Sequence, residues 1–301
     1  MTTHASRGAG EARRLVLGIP LGWMLVFTLL PALVVLAISF TEKRLGSPPF
    51  TPLLTPGEGL LPRLDATGSN YALIFSDSLY IEAFAGSIRI AAVSALITLL
   101  IAYPMAYALA RMRGRLRTPL LVLVVLPFWT SFLIRVYAWS SLLNSNGLIN
   151  TLLLDAGLIA EPLPLLNTEF AVHLGIVYSY LPFMVLPIYA VLERMDWTLL
   201  DAAADLGARP ARAFFRVILP LSMPGVVAGL LLVFIPALGE FIIPELLGGS
   251  HTLMVGPVLW NEFFGNNDWP LASALAMLLL VAVLLPAVLF YRLSRRTETA
   301  S

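Results

Sequence analysis

The stretch "LLDAAADLGARPARAFFRVILP", residues 199–220, lies between two strongly apolar segments and carries two aspartates and three arginines. Its alanine run, followed by Gly207 and Pro210, predicts a helix, a glycine turn and a second short helix that continues into the next apolar segment. Thr198 is predicted to cap the first helix, with Asp201 three residues further on in an approximate capping box. A charged helical insert in such a chain indicates a connection between two membrane spans.

The composition around the insert is that of a membrane protein. Of 301 residues, 58% are hydrophobic and 12% are charged, whereas about 25% of the residues in an average soluble domain are charged. The chain has no cysteine, which excludes disulfides, thiolate metal sites and cysteine nucleophiles. Its one lysine, Lys43, does not follow a glycine-rich loop, so the chain does not bind ATP through a phosphate-binding loop of the Walker type.

Six segments are apolar enough to span a membrane, which takes about 20 residues each. The first is too long for the apolar region of a signal peptide and lacks a small-residue cleavage site, so we interpret it as an anchor. The predicted fold class is an all-α integral membrane protein with six transmembrane helices. The predicted spans lie near 16–40, 87–110, 118–142, 170–192, 219–245 and 271–291.

The domain organisation follows from these spans. We predict a tail at 1–15, the first span at 16–40, an outer loop at 41–86, a five-helix core at 87–291 with a cytoplasmic loop at 193–218, and a second tail at 292–301. Fourteen of the 19 basic residues fall in the tails and loops on one side, and three in the loops on the other. Since basic residues accumulate on the cytoplasmic side, both termini are predicted to be cytoplasmic.

The outer loops are acidic, with ten acidic residues against three basic ones. Such a field would concentrate a cationic solute at the entrance. The exclusion of basic residues from outer loops leaves the same pattern without any solute. Both interpretations stay open at this point.

The first helix of the insert is predicted to have two faces. Asp201 and Asp205 share a polar face, and Leu199, Leu200, Ala203 and Leu206 form an apolar one. A cytoplasmic helix of this kind is suited to docking in the groove of a partner protein. The alternative is a helix that lies on the lipid headgroups, which the three arginines would favour.

The spacing in the insert resembles the EAA motif of permease subunits of ATP-binding-cassette importers. Asp201 stands where that family has glutamate, Val217 stands where it has isoleucine, and the matching positions are Ala202, Ala203, Gly207, Leu219 and Pro220. The resemblance implies that the insert is a coupling helix that enters a cleft of a separate ATPase subunit. The implied coupling residues are Asp201, Ala202, Ala203, Gly207 and Arg209.

Four further stretches resemble the polyamine branch of this family, and within it the first permease subunit of putrescine importers. They are "LPFWTSFLIRVYAW" (126–139), "LPFMVLPIY" (181–189), "FIPALGEFIIPELLGG" (234–249) and "NNDWPLASA" (266–274). The resemblance covers roughly 85–290 and implies the type I importer permease fold. The implied function is that of one half of the pathway for a polyamine, first of all putrescine, with spermidine or another small cationic or organic solute as alternatives.

The resemblance also implies partners and a location. The partners are a second permease subunit, two copies of an ATPase that hold ATP and magnesium, and a periplasmic polyamine-binding protein, with no nucleic acid. This chain itself is expected to hold no cofactor and no metal. Its expected location is the inner membrane of a bacterium, as a multi-pass protein surrounded by lipid.

Two carboxylates, Glu240 and Glu245, fall in the outer half of the fifth apolar segment. Acidic residues at membrane depth usually line a pathway or form ion pairs. On an unbroken helix the two would point about 140° apart, so we expect Pro236 and Pro244 to bend or unwind this span. We predict that at least one carboxylate faces the pathway and contacts an ammonium group. The alternatives are an ion pair with Arg135 or Arg89, or a position of Glu245 at the outer membrane interface.

Three aromatic residues are candidates for a gate or for cation–π walls around an amine: Phe241, Trp129 and Trp260. The alternative is that they belong to the aromatic belts at the membrane interfaces. The resemblance to the polyamine branch implies a gate at 240–245, which favours Phe241 and Glu245. Gly225 and Gly229 form a G-x-x-x-G pattern, which predicts the close approach of another helix.

Two other classes of protein fit the sequence less well. A secondary transporter that works alone would call for inverted repeats or a relay of acids at membrane depth, and we find no clear repeat and only two such acids. An intramembrane enzyme would need a nucleophile with its base or paired aspartates inside the spans, and no such arrangement is recognisable.

Overall fold

The computed structural model describes residues 16–55, 63–112, 114–249 and 252–298. Across these residues, five helices are long and apolar enough to cross a membrane, and a sixth span arises if a bent pair of helices is counted as one. The predicted all-α membrane class is confirmed. The predicted tail at 1–15 lies outside the described residues.

The elements follow one another as twelve helices and one short strand pair within the described part of the chain. The helices are α1 (Val16–Ser39), α2 (Ser69–Ser76), α3 (Ser78–Arg111), α4 (Arg117–Val125), α5 (Phe132–Leu143), α6 (Leu148–Asp155), α7 (Glu169–Glu193), α8 (Thr198–Asp205), α9 (Pro210–Ala213), α10 (Leu219–Leu238), α11 (Val255–Trp260) and α12 (Trp269–Glu298). The strands β1 (Leu54–Thr55) and β2 (Arg63–Leu64) are antiparallel, with Leu54 opposite Leu64.

The chain divides into two compact units. The small unit comprises the residues up to Asp77 together with Leu259–Leu280, and the large unit comprises Ser78–Val258 together with the residues from Val281. Two hydrogen bonds and an ion pair hold the first residues after α1 within the small unit. Asn70 donates from Nδ2 to the carbonyls of Ser39 (2.9 Å) and Thr41 (2.8 Å), and Lys43 Nζ lies 3.5 Å from Asp268 Oδ2.

The predicted outer loop at 41–86 is too long. Helix α2 lies within it, and α3 begins at Ser78 rather than near residue 87. The prediction counted only the apolar run needed to cross the hydrocarbon. A helix satisfies its own backbone groups and continues past that run, through polar residues such as Glu82, without any penalty from the membrane.

The third predicted span, 118–142, is not one continuous helix. The segments Arg117–Trp129 and Phe132–Asp155 meet at an angle of 91°. The first of them ends in a 3-10 turn at Leu126–Trp129, where the Thr130 hydroxyl donates to the Pro127 carbonyl at 2.8 Å. Proline lacks an N–H and disrupts the preceding turn, so the apolar run continues here although the helix does not.

The fifth predicted span, 219–245, is also broken. Helix α10 ends at Leu238, and the chain enters a second helical stretch only after Phe241, with a π-helical turn at Pro244–Gly248. The predicted disruption near Pro236 and Pro244 is therefore confirmed, although Pro236 itself lies within α10. Helix α1 covers the first predicted span up to Ser39, α7 contains the span 170–192, and α12 contains the span 271–291 and runs on to Glu298, into the predicted tail at 292–301.

Helices α3, α7 and α10 form the core of the large unit, with Ala106, Met184, Ile188 and Val233 fully buried among them. The G-x-x-x-G pattern of α10 faces α7. A Cβ added at Gly225 would lie 2.7 Å from the Pro187 carbonyl oxygen. The predicted close approach is confirmed, and the neighbour is a helix of the same chain.

We expect Gly225→Leu to force α7 and α10 apart and to lower the free energy of unfolding by about 1–3 kcal/mol, the usual range for overpacked cores. The midpoint of thermal unfolding in detergent measures the change. Gly18→Leu is the matched control because a Cβ at Gly18 meets nothing within 4 Å. Equal midpoints for the two variants would show that the α7–α10 contact tolerates a side chain.

Candidate functional site

The break in the fifth span is organised around the Glu240 carboxylate. This side chain is 7% exposed, and its Oε1 accepts hydrogen bonds from the backbone N–H groups of Phe241 (3.2 Å), Ile242 (3.1 Å) and Ile243 (3.5 Å). The hydroxyl of Tyr180, on α7, donates to Oε2. Glu240 therefore caps the helical stretch that follows the break, and four donors hold its negative charge in one place.

The predicted alternative, an ion pair with Arg89 or Arg135, is wrong for Glu240. Arg89 Nη2 forms its ion pair with Glu169 at the start of α7. Within the described residues no basic side chain lies within ion-pair distance of Glu240. The Glu240 carboxylate is thus held by neutral hydrogen-bond donors rather than by a salt bridge in this part of the chain.

Arg135 has an unusual setting on α5. It is 9% exposed, and its Cζ lies 5.6 Å from the ring centroids of both Phe128 and Phe132. Its Nε and Nη1 atoms are buried and make no hydrogen bond within the described residues. Stacking on aromatic faces is favourable for a guanidinium, and here the rings on either side of the helix break supply it.

The other predicted pathway residues are less enclosed. Glu245 is exposed in the π-helical turn Pro244–Gly248, and Phe241 is half-buried. Trp129 is 80% exposed at the end of the 3-10 turn. Trp260, at the end of α11, is half-exposed and its ring centroid lies 4.2 Å from that of Phe264. Among the five predicted residues, Glu240 has the network of polar partners given above.

Tyr180 is the residue of this network that the sequence did not reveal. It lies in the middle of an apolar span, and its neighbour Phe183 contacts Phe128 with ring centroids 4.9 Å apart. One signal was present: a carboxylate buried at a helix break needs hydrogen-bond donors. Tyrosine is a residue type that supplies a donor within an apolar helix at small cost.

The predicted layout of the loop at 193–218, named the charged loop below, is confirmed. Helix α8 ends before Gly207, whose φ of +77° is in the left-handed region that favours glycine. The N–H of Gly207 donates to the Ala204 carbonyl at 2.8 Å, and that of Ala208 to the Ala203 carbonyl at 3.0 Å. Pro210 is then the first residue of α9.

The predicted cap of α8 is wrong. Thr198 is the first helical residue, Trp197 stands at the cap position without a side-chain hydrogen bond, and the side-chain acceptor at this end of the helix is Asp196. Its Oδ1 accepts from the Thr198 hydroxyl at 2.8 Å and from the Thr198 N–H at 3.0 Å. These hydrogen bonds lower the pKa of Asp196, because they stabilise its charged form. Asp196, two residues before the expected cap, binds the N–H at the first helical position, whereas a cap at Thr198 would bind donors further into the helix.

The apolar face of α8 is divided rather than single. Leu200 packs against the core of the large unit, and Ala203 is half-buried. Leu199 is 43% exposed and Leu206 is 89% exposed. Asp201, Ala202, Gly207 and Arg209 are also exposed. The outward surface of α8 thus combines an apolar ridge with two aspartates, which suits a protein groove better than lipid headgroups of negative charge.

Residues 99–299 match the family described as "Binding-protein-dependent transport system inner membrane component". The chain belongs to this family. It is accordingly a multi-pass inner-membrane permease component of a transport system, and not an enzyme.

Curated relatives cover almost the whole permease. It is 41% identical over 290 residues to the spermidine/putrescine transport system permease protein PotB of Haemophilus influenzae, which covers 95% of this chain and 96% of the relative. It is 37% identical over 274 residues to PotB of Escherichia coli K12, which covers 91% and 94% of the two chains. The inner membrane ABC transporter permease protein YdcU of the same strain is 33% identical over 73% of this chain and 74% of its own.

A solved structure of an ABC transporter has a chain with a similar fold. The crystal structure of a bacterial alginate ABC transporter, in complex with an alginate pentasaccharide-bound periplasmic protein, contains a chain with a TM-score of 0.72. The two chains are 15% identical, and the match covers 99% of this permease and 98% of that chain. The predicted ABC importer permease fold is confirmed.

We expect Glu240→Ala to destabilise the permease by about 1–3 kcal/mol, because three backbone donors lose their acceptor in a buried place. Glu240→Gln keeps an acceptor at the cap and should cost less. Thermal unfolding in detergent checks this order. Glu245→Ala is the control, since that side chain is exposed; a loss there as large as for Glu240→Ala would contradict the capping role.

Proposed function

We propose that this permease forms half of the translocation pathway of an ATP-driven importer for a polyamine, with putrescine as the first candidate and spermidine as the second. The observation that carries the proposal is the 41% identity, over nearly the full length of both chains, to a permease named for spermidine and putrescine transport. The two carboxyl groups of the fifth span, Glu240 and Glu245, and the acidic outer loops support a cationic solute.

The proposed partners follow from the charged loop and from the family. A second permease subunit completes the pathway as a heterodimer. Two copies of an ATPase subunit hold ATP and magnesium, which this chain has no phosphate-binding loop to hold. A periplasmic polyamine-binding protein delivers the solute. Within this chain, Asp201, Ala202, Ala203, Gly207 and Arg209 are the proposed contacts with the ATPase.

The proposed mechanism gives different roles to the charged loop and to the two carboxylates of the fifth span. Closure of the ATPase pair moves α8, and the spans then change between outward and inward access. Inside the pathway, Glu245 is the better candidate for direct contact with an ammonium group, because it is exposed whereas Glu240 is buried. Glu240, held by its four donors, would supply a fixed negative potential beside it.

We expect Gly207→Val to reduce co-purification with the ATPase, because a β-branched residue strains a left-handed backbone position and changes the turn after α8. Pull-down of the tagged ATPase from detergent extracts measures the association, and deletion of residues 199–210 should abolish it. Gly157→Val is the matched control: Gly157 has a φ of +66° and, like Gly207, open space around its Cα. Association undiminished by both loop variants would exclude the coupling role.

We expect the complete assembly in proteoliposomes to take up radiolabelled putrescine or spermidine only when ATP is supplied. Glu245→Gln should raise the KM for the polyamine about tenfold or more, as expected when a charge-assisted hydrogen bond to an ammonium group is weakened. Glu240→Gln tests the fixed potential in the same assay. Normal uptake by both variants would refute the cation site, and uptake driven by an ion gradient without ATP would favour a secondary transporter.

A further inference from the structure

Both ends of the charged loop rest on one face of α3. Tyr103, Tyr107 and Arg111 follow one another at four-residue spacing on this helix, so their side chains share a face. Trp197 lies immediately before α8, and Phe214 lies immediately after α9. All five residues belong to the large unit, and none of them is among the pathway or ATPase contacts proposed above.

The contact at Trp197 involves three side chains. The ring centroids of Trp197 and Tyr107 are 5.8 Å apart, with the rings inclined by 73°. The Cζ atom of Arg111 lies 5.6 Å from the Trp197 ring and 5.8 Å from the Tyr107 ring. Arg111 Nη1 also donates to the Tyr107 hydroxyl at 3.0 Å. Edge-to-face packing and a shared cation therefore hold this end of the loop.

The contact at Phe214 uses the same helix face. The Phe214 ring centroid lies 6.2 Å from that of Tyr107 and 5.5 Å from that of Tyr103, edge-to-face in both pairs. The Tyr103 hydroxyl lies 2.8 Å from Ser222 Oγ, which donates to the Leu219 carbonyl at 3.0 Å. Tyr107 thus touches both ends of the loop, while Tyr103 ties the second end to the start of α10.

The middle of the loop contrasts with its ends. Leu206 and Gly207, at the turn between α8 and α9, are exposed, and a Cβ at Gly207 would meet nothing within 4 Å. The charged loop is held against α3 at both ends, and its middle is exposed. A force applied to the middle is therefore passed to α3. Helix α3 receives the force although it is not adjacent to the loop in the sequence.

We propose that Tyr107 and Arg111, with Trp197 and Phe214, transmit movement of α8 to α3, as positioning residues that tie ATP hydrolysis to solute movement. This inference rests on the proposed function. It deepens that function because it names α3 as a span that responds together with α7 and α10, and because it predicts that the contact between the loop and α3 can be weakened without loss of ATPase docking.

The test uses the complete assembly, with both permeases, the ATPase and the solute-loaded binding protein, in proteoliposomes. Polyamine uptake and ATP hydrolysis are measured on the same samples for Tyr107→Leu and Trp197→Leu. We expect the complex to assemble and to hydrolyse ATP, while the amount of polyamine taken up per ATP falls by about threefold to tenfold, the size expected for losing an aromatic pair with its cation–π contact. Trp197→Phe keeps a ring and should restore most of the ratio.

Trp139→Leu is the matched control, because Trp139 packs edge-to-face on Tyr178 with ring centroids 5.4 Å apart, away from the charged loop. It should leave the ratio unchanged. An unchanged amount of polyamine taken up per ATP in Tyr107→Leu overturns the proposal. A smaller amount of assembled complex with a normal uptake per ATP also overturns it, because Tyr107 would then have only a structural role. Failure of the wild-type assembly to import polyamine with ATP would instead refute the proposed function.

Discussion

The capping of three backbone N–H groups by Glu240 is the interaction on which the pathway half of this permease depends. In hydrocarbon an unsatisfied backbone group costs several kcal/mol, so a span can break only where other groups replace the lost hydrogen bonds. Glu240 supplies the acceptor, and Tyr180 satisfies its second oxygen. That bond requires α7 to present Tyr180 to the break, and Gly225 and Gly229 allow α7 and α10 to lie close together along the preceding turns.

The same pair of helices carries the charged loop. Helix α7 ends at Glu193, where Arg117 of α4 bonds both to its carboxylate and to the Tyr189 hydroxyl. Helix α10 is continuous with α9 through the π-helical turn Phe214–Ile218. The loop therefore leaves and re-enters a rigid helix pair, and α3 packs against both of them. A displacement of the loop has few ways to relax except by movement of these three helices.

Features that local composition and backbone geometry determine can be predicted from the sequence, whereas features that depend on contacts between helices cannot. The membrane class, the helix–glycine–helix layout at Gly207 and the disruption near Pro244 follow from apolar runs, left-handed glycine and proline geometry, and the structure has all three. The break at Thr130 was not foreseen, because apolar runs measure burial in lipid and not helical continuity. The partner of Glu240 could not be foreseen either, since pairing Tyr180 with it requires knowledge of how α7 is rotated against α10.

The exchange of glutamate for aspartate at position 201 fits the surface that α8 presents. Asp201 lies in the first turn of α8, where a short acidic side chain stays near the helix N-terminus and is stabilised by the helix dipole. The longest exposed apolar side chains on α8 and at its C-terminal end are Leu199 and Leu206. A groove that receives this helix therefore meets hydrophobic surface first, with Asp201 and Asp205 at its margin. In such an arrangement the leucines supply most of the affinity and the carboxylates mainly fix the orientation.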